Sequence, residues 1–434
     1  MEATRTAIDR LYALVANEED ARACTEISDD ACRVVPGNFF LMLSSLVLTK
    51  IGDLLVSPKL VLSWLLGSVG APPFLIAWLV PIRESGSLIP QLAIGAWVRR
   101  HPRRAGFWVL GSALQGASVV GMALAVWQLD GLQAGLAVLG LLVLFSLSRG
   151  LCSVSMKDVQ GKCIPKSRRG RLAGLATTFS GLATVAISVL LIVDNDDPSR
   201  SFYLTLLFAG AGLWWAAAIL FRFVREFDGE TAGGANALRE AWASLGLLRD
   251  DAAFRHFVIT RSLLLCSALS APFFVVLAQR STPDSTMLGA FLLAGSLASS
   301  LSAAIWGWMA DVSSRNVMIR GSVIAATTCL AIGVGTSLFP DWFVLPWVLP
   351  SAYLVLSVAH AGVRIGRKTY LVDMAGGTKR TDYVAVSNTV IGVLLLVAGG
   401  VSALASLLSV EAVLILLGLM GAAGAVSALR LKDV

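Results

Sequence analysis

Ionisable side chains interrupt segments that are otherwise apolar: Lys50, Asp53, Arg83, Glu84, Arg149, Arg261, His360 and Arg364. In hydrocarbon each costs about 2.5–3.5 kcal/mol near a helix centre, so such groups usually line a polar pathway or meet a partner. Arg83 and Glu84 are sequence neighbours. On a helix they point about 100° apart and cannot pair with each other. Lys50 can face Glu84, and Asp53 can face Arg83, if the helices carrying them run antiparallel. One chemistry for this group is a static salt-bridge cluster. The other is proton uptake, with Glu84 or Asp53 as a carboxylate that gains and loses a proton as a cavity opens, next to Arg83.

A second pattern is His360, Arg364 and Lys368, spaced by four. They share one helix face, where like charges repel. The arrangement is comfortable opposite an acid or an anionic ligand, and Asp373 lies too far along the helix to serve the upper two. Arg364 and His360 are therefore candidate contacts for an anion, while Lys368 can lie at a solvated rim. Asp158 and Lys162 have the spacing of an (i, i+4) ion pair.

The elements that must hold these groups are membrane helices. Of 434 residues, 56% are hydrophobic and 15% charged, with mean hydropathy +0.75. A soluble chain carries about a quarter charged residues, so an ordinary soluble enzyme and a disordered chain are both excluded. The apolar residues fall in blocks such as Gly131–Ser148, Ala173–Val193 and Thr389–Leu408. Blocks of about 20 residues read as membrane-spanning helices, and the short alternating segments of a membrane β-barrel are missing. The pattern predicts twelve helices, α1 to α12, over 38–60, 67–98, 105–127, 133–161, 170–193, 202–224, 253–279, 286–310, 316–337, 344–373, 384–408 and 411–430. At about 1.5 Å per residue, most of the charges above fall near the middle of a roughly 30 Å core.

The loops sort by charge. One side carries Arg99, Arg100, Arg103, Arg104, Lys166, Arg168, Arg169, Arg171, Lys379, Arg380, Arg430 and Lys432. The other carries Asp130, Asp194, Asp196, Asp197, Asp284, Asp341 and Glu411, and only Lys59, Arg200 and Arg280 oppose the trend. The positive-inside rule then puts both termini in the cytoplasm, as an even helix count requires. It also accounts for the net charge of +7 and pI near 9.3 without nucleic acid. Residues 1–36 form a polar cytoplasmic segment in which Thr6–Ala16 is either a surface helix or a solvated tail, and no cleavable signal is apparent. Residues 37–224 form a first six-helix bundle, 225–252 a cytoplasmic linker, and 253–434 a second bundle. Cys24, Cys32, Cys152, Cys163, Cys266 and Cys329 show no CxxC spacing and are expected to be reduced. Three scattered histidines give no metal-ligand spacing, and no phosphate-binding Gly-x-x-x-x-Gly-Lys loop occurs.

The chain also repeats itself. Gly95 to Arg103, after α2, corresponds to Gly307 to Arg315, after α8, at an offset of 212, and Lys157 corresponds to Lys368 at 211. These features resemble the major facilitator superfamily over residues 37–430. Its loop 2–3 pattern is Gly-x-x-x-Asp-(Arg/Lys)-x-Gly-Arg-(Arg/Lys). Gly307, Asp311 and Arg315 match it in the second half; Gly95 and Arg103 match in the first, where Arg99 replaces the acid. Arg149-Gly150 is similar to the family's helix 4 arginine, Pro165 to Arg171 to its loop 4–5 pattern, and Asp53 with Pro58 to its helix 1 element. The family's antiporter signature on helix 5, with a Gly-Pro pair, is absent from Gly174 to Gly181.

The resemblance implies an all-α membrane protein with twelve transmembrane helices in two pseudo-symmetric six-helix bundles. It implies a cavity lined by α1, α4, α7 and α10, and gating loops at Gly95, Arg103, Gly307, Asp311 and Arg315. Lys50, Arg83, Arg149, Arg261 and Arg364 against Asp53 and Glu84 leave a net +3 at depth. A positive low-dielectric cleft concentrates anions, and arginine grips carboxylate or phosphate. The expected function is secondary active transport of a small organic anion or phosphorylated solute by alternating access. Arg149, Arg261, Arg364, Lys50 and His360 would bind solute; Glu84, Asp53 and Arg83 would couple protons, with symport favoured by the missing antiporter signature. Expected partners are the anionic solute, protons and the lipid bilayer. The protein is expected to be a monomer of the bacterial inner membrane, with no cofactor, no nucleic acid and no enzymatic activity. Two alternatives stay open: a proton-antiport exporter of lipophilic compounds, and a scaffold or sensor of the same fold without turnover.

Overall fold

The computed structural model describes residues 12, 29–193, 199–229, 231, 246–281, 285–374 and 380–433. Among them all regular structure is helical. The expected helix over Thr6–Ala16 (apart from Tyr12), most of the 225–252 linker, and Cys24, Asp194, Asp196, Asp197, Asp284 and Lys379 lie outside the described residues.

The first pass, α1, runs over Val35–Leu55 and resumes over Val61–Ser68. It is longer than the pattern predicted. Pro58 has no N–H and its ring clashes with a preceding carbonyl, so the helix opens there rather than ending. The Leu62 N–H donates to the Ser57 carbonyl (2.9 Å) and Ser63 Oγ to the Pro58 carbonyl (2.8 Å), which carries the chain across the break. The turn to α2 comes later, at Gly70, whose φ of 74° suits glycine. The α2 pass then starts at Pro73, where a missing N–H costs nothing, and breaks again at Pro90 into Pro73–Leu88 and Gln91–Val98.

The remaining passes are α3 (Ala105–Gln128), α4 (Gly131–Cys163), α5 (Lys166–Val193), α6 (Arg200–Phe221), α8 (Ser285–Val312), α9 (Ser314–Leu338), α10 (Val348–Met374), α11 (Arg380–Ser406) and α12 (Val410–Leu429). The α7 pass is segmented into Ala252–Leu263, Cys266–Leu269 and Ala271–Ser281, so α1 and α7 break at corresponding places in the two halves. Among the described residues eleven helices are long and apolar enough to cross a membrane; the twelfth pass is the proline-split α2. Large apolar side chains such as Leu136, Leu190, Leu301 and Leu404 are exposed on the outside, as lipid contact requires.

The packing differs at the two ends. Towards the ends opposite the basic loops, a single apolar cluster runs through both halves, joining Trp64, Ile76, Phe145 and Trp214 to Phe274, Phe291, Tyr353 and Leu395. Gln279 Nε2 donates to the Trp64 carbonyl across the seam (2.8 Å), and Trp64 meets Phe291 edge-on. Towards the basic loops each half has its own core: Phe39, Trp108, Val159 and Phe221 in the first, Phe254, Phe257, Met318 and Tyr370 in the second. The halves are therefore sealed on one face and parted on the other. They touch through α2 against α11 and α5 against α8. Glycines set these contacts: a Cβ at Gly399 would strike Pro81, and one at Gly289 would strike Ile192 and the Ser188 carbonyl.

On the basic face, the acid that follows the last helix of each half clamps the matching loop. Arg103 Nε donates to Asp228 (2.6 Å), and Arg315 pairs with Asp433 (3.1 Å), which also accepts from Ser313. Glu226 caps α3 by accepting from the Arg104 and Ala105 N–H groups at 2.6 Å each. The expected Asp158–Lys162 pair does not form; Asp158 takes Arg104 and Lys162 takes Glu226, because both partners are brought in from other elements. On the opposite face two of the three exceptions to the charge trend are paired, Arg200 with Asp130 and Arg280 with Glu411. Cys152, Cys163, Cys266 and Cys329 are free and buried. Cys32 is disulfide-bonded, contrary to expectation; it precedes α1, outside the apolar core that shelters the other four.

Candidate solute site

Where the two halves part, the mid-helix charges collect. Asp53 of α1 stands between two guanidinium groups. Arg149 Nη1 of α4 reaches both carboxylate oxygens, Oδ1 at 2.6 Å, and Arg83 Nη2 of α2 reaches Oδ1 at 3.2 Å. Arg83 is buried and lies 5.1 Å from the centre of the Phe145 ring, a cation–π contact that shields its outer side. This triad ties α1, α2 and α4 together.

Lys50 does not face Glu84. One helical turn below Asp53, its Nζ donates to Thr177 Oγ1 of α5 (2.7 Å). Glu84 makes no side-chain hydrogen bond or ion pair among the described residues. It is exposed although Arg83 and Ser85 on either side are buried. The cations that act on it, Arg83, Lys59, Arg149 and Arg367, come from both halves, so it faces the space between them.

The second half contributes α10. Arg364 is exposed and has no hydrogen-bond or ion-pair partner among the described residues. It lines a cavity of about 170 Å³ together with His360, Ser267, Ser299, Ser357 and, from the first half, Lys59. Lys59 Nζ sits 3.2 Å from His360 Nε2, and His360 Nδ1 sits 3.1 Å from Ser267 Oγ. A larger cavity of about 390 Å³ opens towards the basic face between α2, α4 and α11, with Gly95, Arg99 and Lys157 in its wall.

Arg261 lies apart from this group. It is buried within the second half, where its guanidinium donates to Ser387 Oγ (2.5 Å) and Asn388 Oδ1 (3.0 Å), fastening α7 to α11. Of the loop residues, Gly95 faces the larger cavity, Arg103 and Arg315 hold the terminal acids, Gly307 has open space beside it, and Asp311 is exposed without an ion pair among the described residues.

Two residues of the cluster escaped the sequence reading. Lys59 falls in the last turn of the expected 38–60 helix, where it counts only as a charge opposing the trend of the loops. Arg367 lies seven residues after His360 and so shares its face, a spacing visible in the sequence. Its Nε is buried without a hydrogen-bond partner.

No protein-family model matches the chain, and no curated protein matches it in sequence. Solved structures do. A D-xylose–proton symporter superposes with a TM-score of 0.69 at 12% identity, covering 91% of this chain and 97% of its own. The nucleoside transporter NupG gives 0.67 at 12%, covering 90% and 99%. A POT family transporter in complex with a thioalcohol-conjugated peptide gives 0.64 at 13%, covering 90% and 94%. The chain has the major facilitator fold. Such low identity carries the architecture and not the solute. Within the facilitator fold of this chain, the cluster on α1, α2, α4 and α10 sits at the seam between bundles, where tandem-repeat transporters hold their substrates.

Proposed function

We propose that the protein is a secondary active transporter that moves a small organic anion or phosphorylated solute by rocking its two halves around the α1–α2–α4–α10 cluster. Arg364 carries the reading: it faces an inter-half cavity with no protein partner among the described residues. An exposed guanidinium at mid-depth, surrounded by Lys59, Arg367 and Lys368, is stabilised by an anion and destabilised without one. Lys50 and Arg149 extend the positive wall on the first half. The neighbouring folds named above belong to a sugar–proton symporter, a nucleoside transporter and a peptide-binding transporter, which supports secondary transport as the common activity.

Proton coupling falls to Glu84. Asp53 is engaged by two guanidinium groups, whereas Glu84 is open to the cavity and adjoins cations of both halves. Entry of the anion and protonation of Glu84 together change the charge balance at the seam, which favours symport. With the basic face in the cytoplasm of a plasma membrane, this conformation is open inward.

Reconstitution into liposomes with an internal pH dye and a panel of organic anions tests the reading. Arg364→Ala is expected to lower anion uptake at least about 100-fold, a loss of about 2.7 kcal/mol, without changing the thermal midpoint. Undiminished uptake in that variant removes the role given to Arg364. Glu84→Gln is expected to keep anion exchange and lose anion-driven acidification; acidification at the wild-type rate removes the proton role.

A further inference from the structure

Among the described residues no carboxylate lines the cavity beside Arg364. Its polar residues are Lys59, His360, Arg364 and the hydroxyl-bearing Ser267, Ser299, Ser357 and Tyr353. At about 170 Å³ it falls short of the roughly 300–1,000 Å³ of a drug-sized site, so it fits a head group.

The hydrogen bonds fix the direction of every donor in one wall. An ammonium has three N–H groups and no acceptor, so His360 must accept from Lys59 at Nε2. Its proton then sits on Nδ1 and is donated to Ser267 Oγ, whose own hydroxyl donates to the Leu264 carbonyl (3.2 Å). Two N–H groups of Lys59 stay available to the cavity. Arg364 brings a guanidinium that no described residue engages. Arg367 acts on both Lys59 and His360, and Glu84 is the acid that acts on Lys59 from outside the lining. Three cations against one carboxylate leave two positive charges at the cavity. The Arg83–Asp53–Arg149 triad adds one more on the first half, held there by its own contacts.

We infer that this cavity receives a doubly charged tetrahedral oxyanion, the head of a phosphate monoester, bridged between Lys59 of one half and Arg364 of the other. This rests on the transport reading above and narrows its solute. A monocarboxylate would leave one of the two cations without a counter-charge. A dianion satisfies both, and because Lys59 and Arg364 belong to different halves it also holds the sealed face shut while the solute is bound.

The full-length protein in lipid nanodiscs is titrated calorimetrically with sulfate and with methanesulfonate, which share a shape and differ by one charge. Sulfate is expected to bind at least about tenfold more tightly. Lys59→Gln is expected to lower sulfate affinity about tenfold, and Lys59→Arg to keep it. Equal affinity for the two anions, or unchanged sulfate binding in Lys59→Gln, overturns the inference; the wild-type comparison stands even where a variant fails to fold. Counterflow in liposomes separates this inference from the broader reading. Arg364-dependent uptake of phosphate monoesters in preference to sulfate monoesters, which share the shape but carry one charge, supports both; equal uptake of the two ester series overturns the dianion. Arg364-dependent uptake confined to monocarboxylates overturns the dianion and leaves anion transport. No Arg364-dependent uptake of any anion overturns both.

Discussion

In the first half, the carboxylate of Asp53 draws Arg83 and Arg149 onto itself, and the triad knits three helices. In the second half, Arg364 and Arg367 lie on one helix, three residues apart, and neither forms an ion pair among the described residues. The same bilayer cost applies to both sets. It is offset by an ion-paired acid in the first half, whereas no described acid pairs with Arg364 or Arg367 in the second. Deep arginines are therefore not one class: Arg83 and Arg149, held by Asp53, and Arg261, held by Ser387 and Asn388, are part of the framework, whereas Arg364, which no described residue engages, is the one given to a ligand in the function proposed above.

Removing the acid from the framework set should have the largest effect. Asp53→Asn leaves two guanidinium groups facing each other without a counter-ion. A broken buried pair costs about 3–5 kcal/mol; with Arg149 36% exposed, about 2–4 kcal/mol is expected. Thermal unfolding of the purified protein measures it. A variant as stable as wild type would show that the triad is not structural and would erase the contrast with Arg364.

Arg261→Met sharpens the comparison from within the second half. Two buried hydrogen bonds, to Ser387 and Asn388, are lost. A drop of about 1–3 kcal/mol in stability is expected, with the KM for anion uptake unchanged. A raised KM at normal stability would return Arg261 to the solute-binding set. The smallest effect is expected for Arg103→Ala. Both partners in its pair with Asp228 are about two-thirds exposed, so solvent and salt screen it. The hydrogen bond that Arg103 donates to Asp228 raises the Arg103 pKa, but an arginine is charged at neutral pH with or without it. No change in thermal midpoint is expected; a clear loss would give the basic-face clamp a stabilising role.

The architecture was legible because it rests on features that sequence displays directly: apolar blocks of spanning length, loop charges and a repeat at an offset of about 212. The contact of Asp53 with Arg83 was legible for a similar reason, since antiparallel neighbours of opposite charge at matching depth have few alternatives. The Lys50–Glu84 pair failed because depth alone leaves rotation about the helix axis undetermined; Lys50 points to α5 instead. Lys59 was missed because the expected α1 ends at residue 60, which puts it at the rim, whereas the pass bends at Pro58 and continues to Ser68. Asp158 and Lys162 failed because local spacing competes with long-range partners, and Arg104 and Glu226 won.

The glycines at the inter-half seam have a consequence of their own. Gly399 rides on Pro81 and Gly289 on Ile192 with no room for a methyl group. A single added carbon at either place acts as a wedge driven into a hinge. Under the rocking mechanism proposed above, alanine at these positions, which line neither cavity, is expected to reset the balance between the two shapes that rocking requires. Such variants would trap the rarer shape for inspection while leaving every charged side chain untouched.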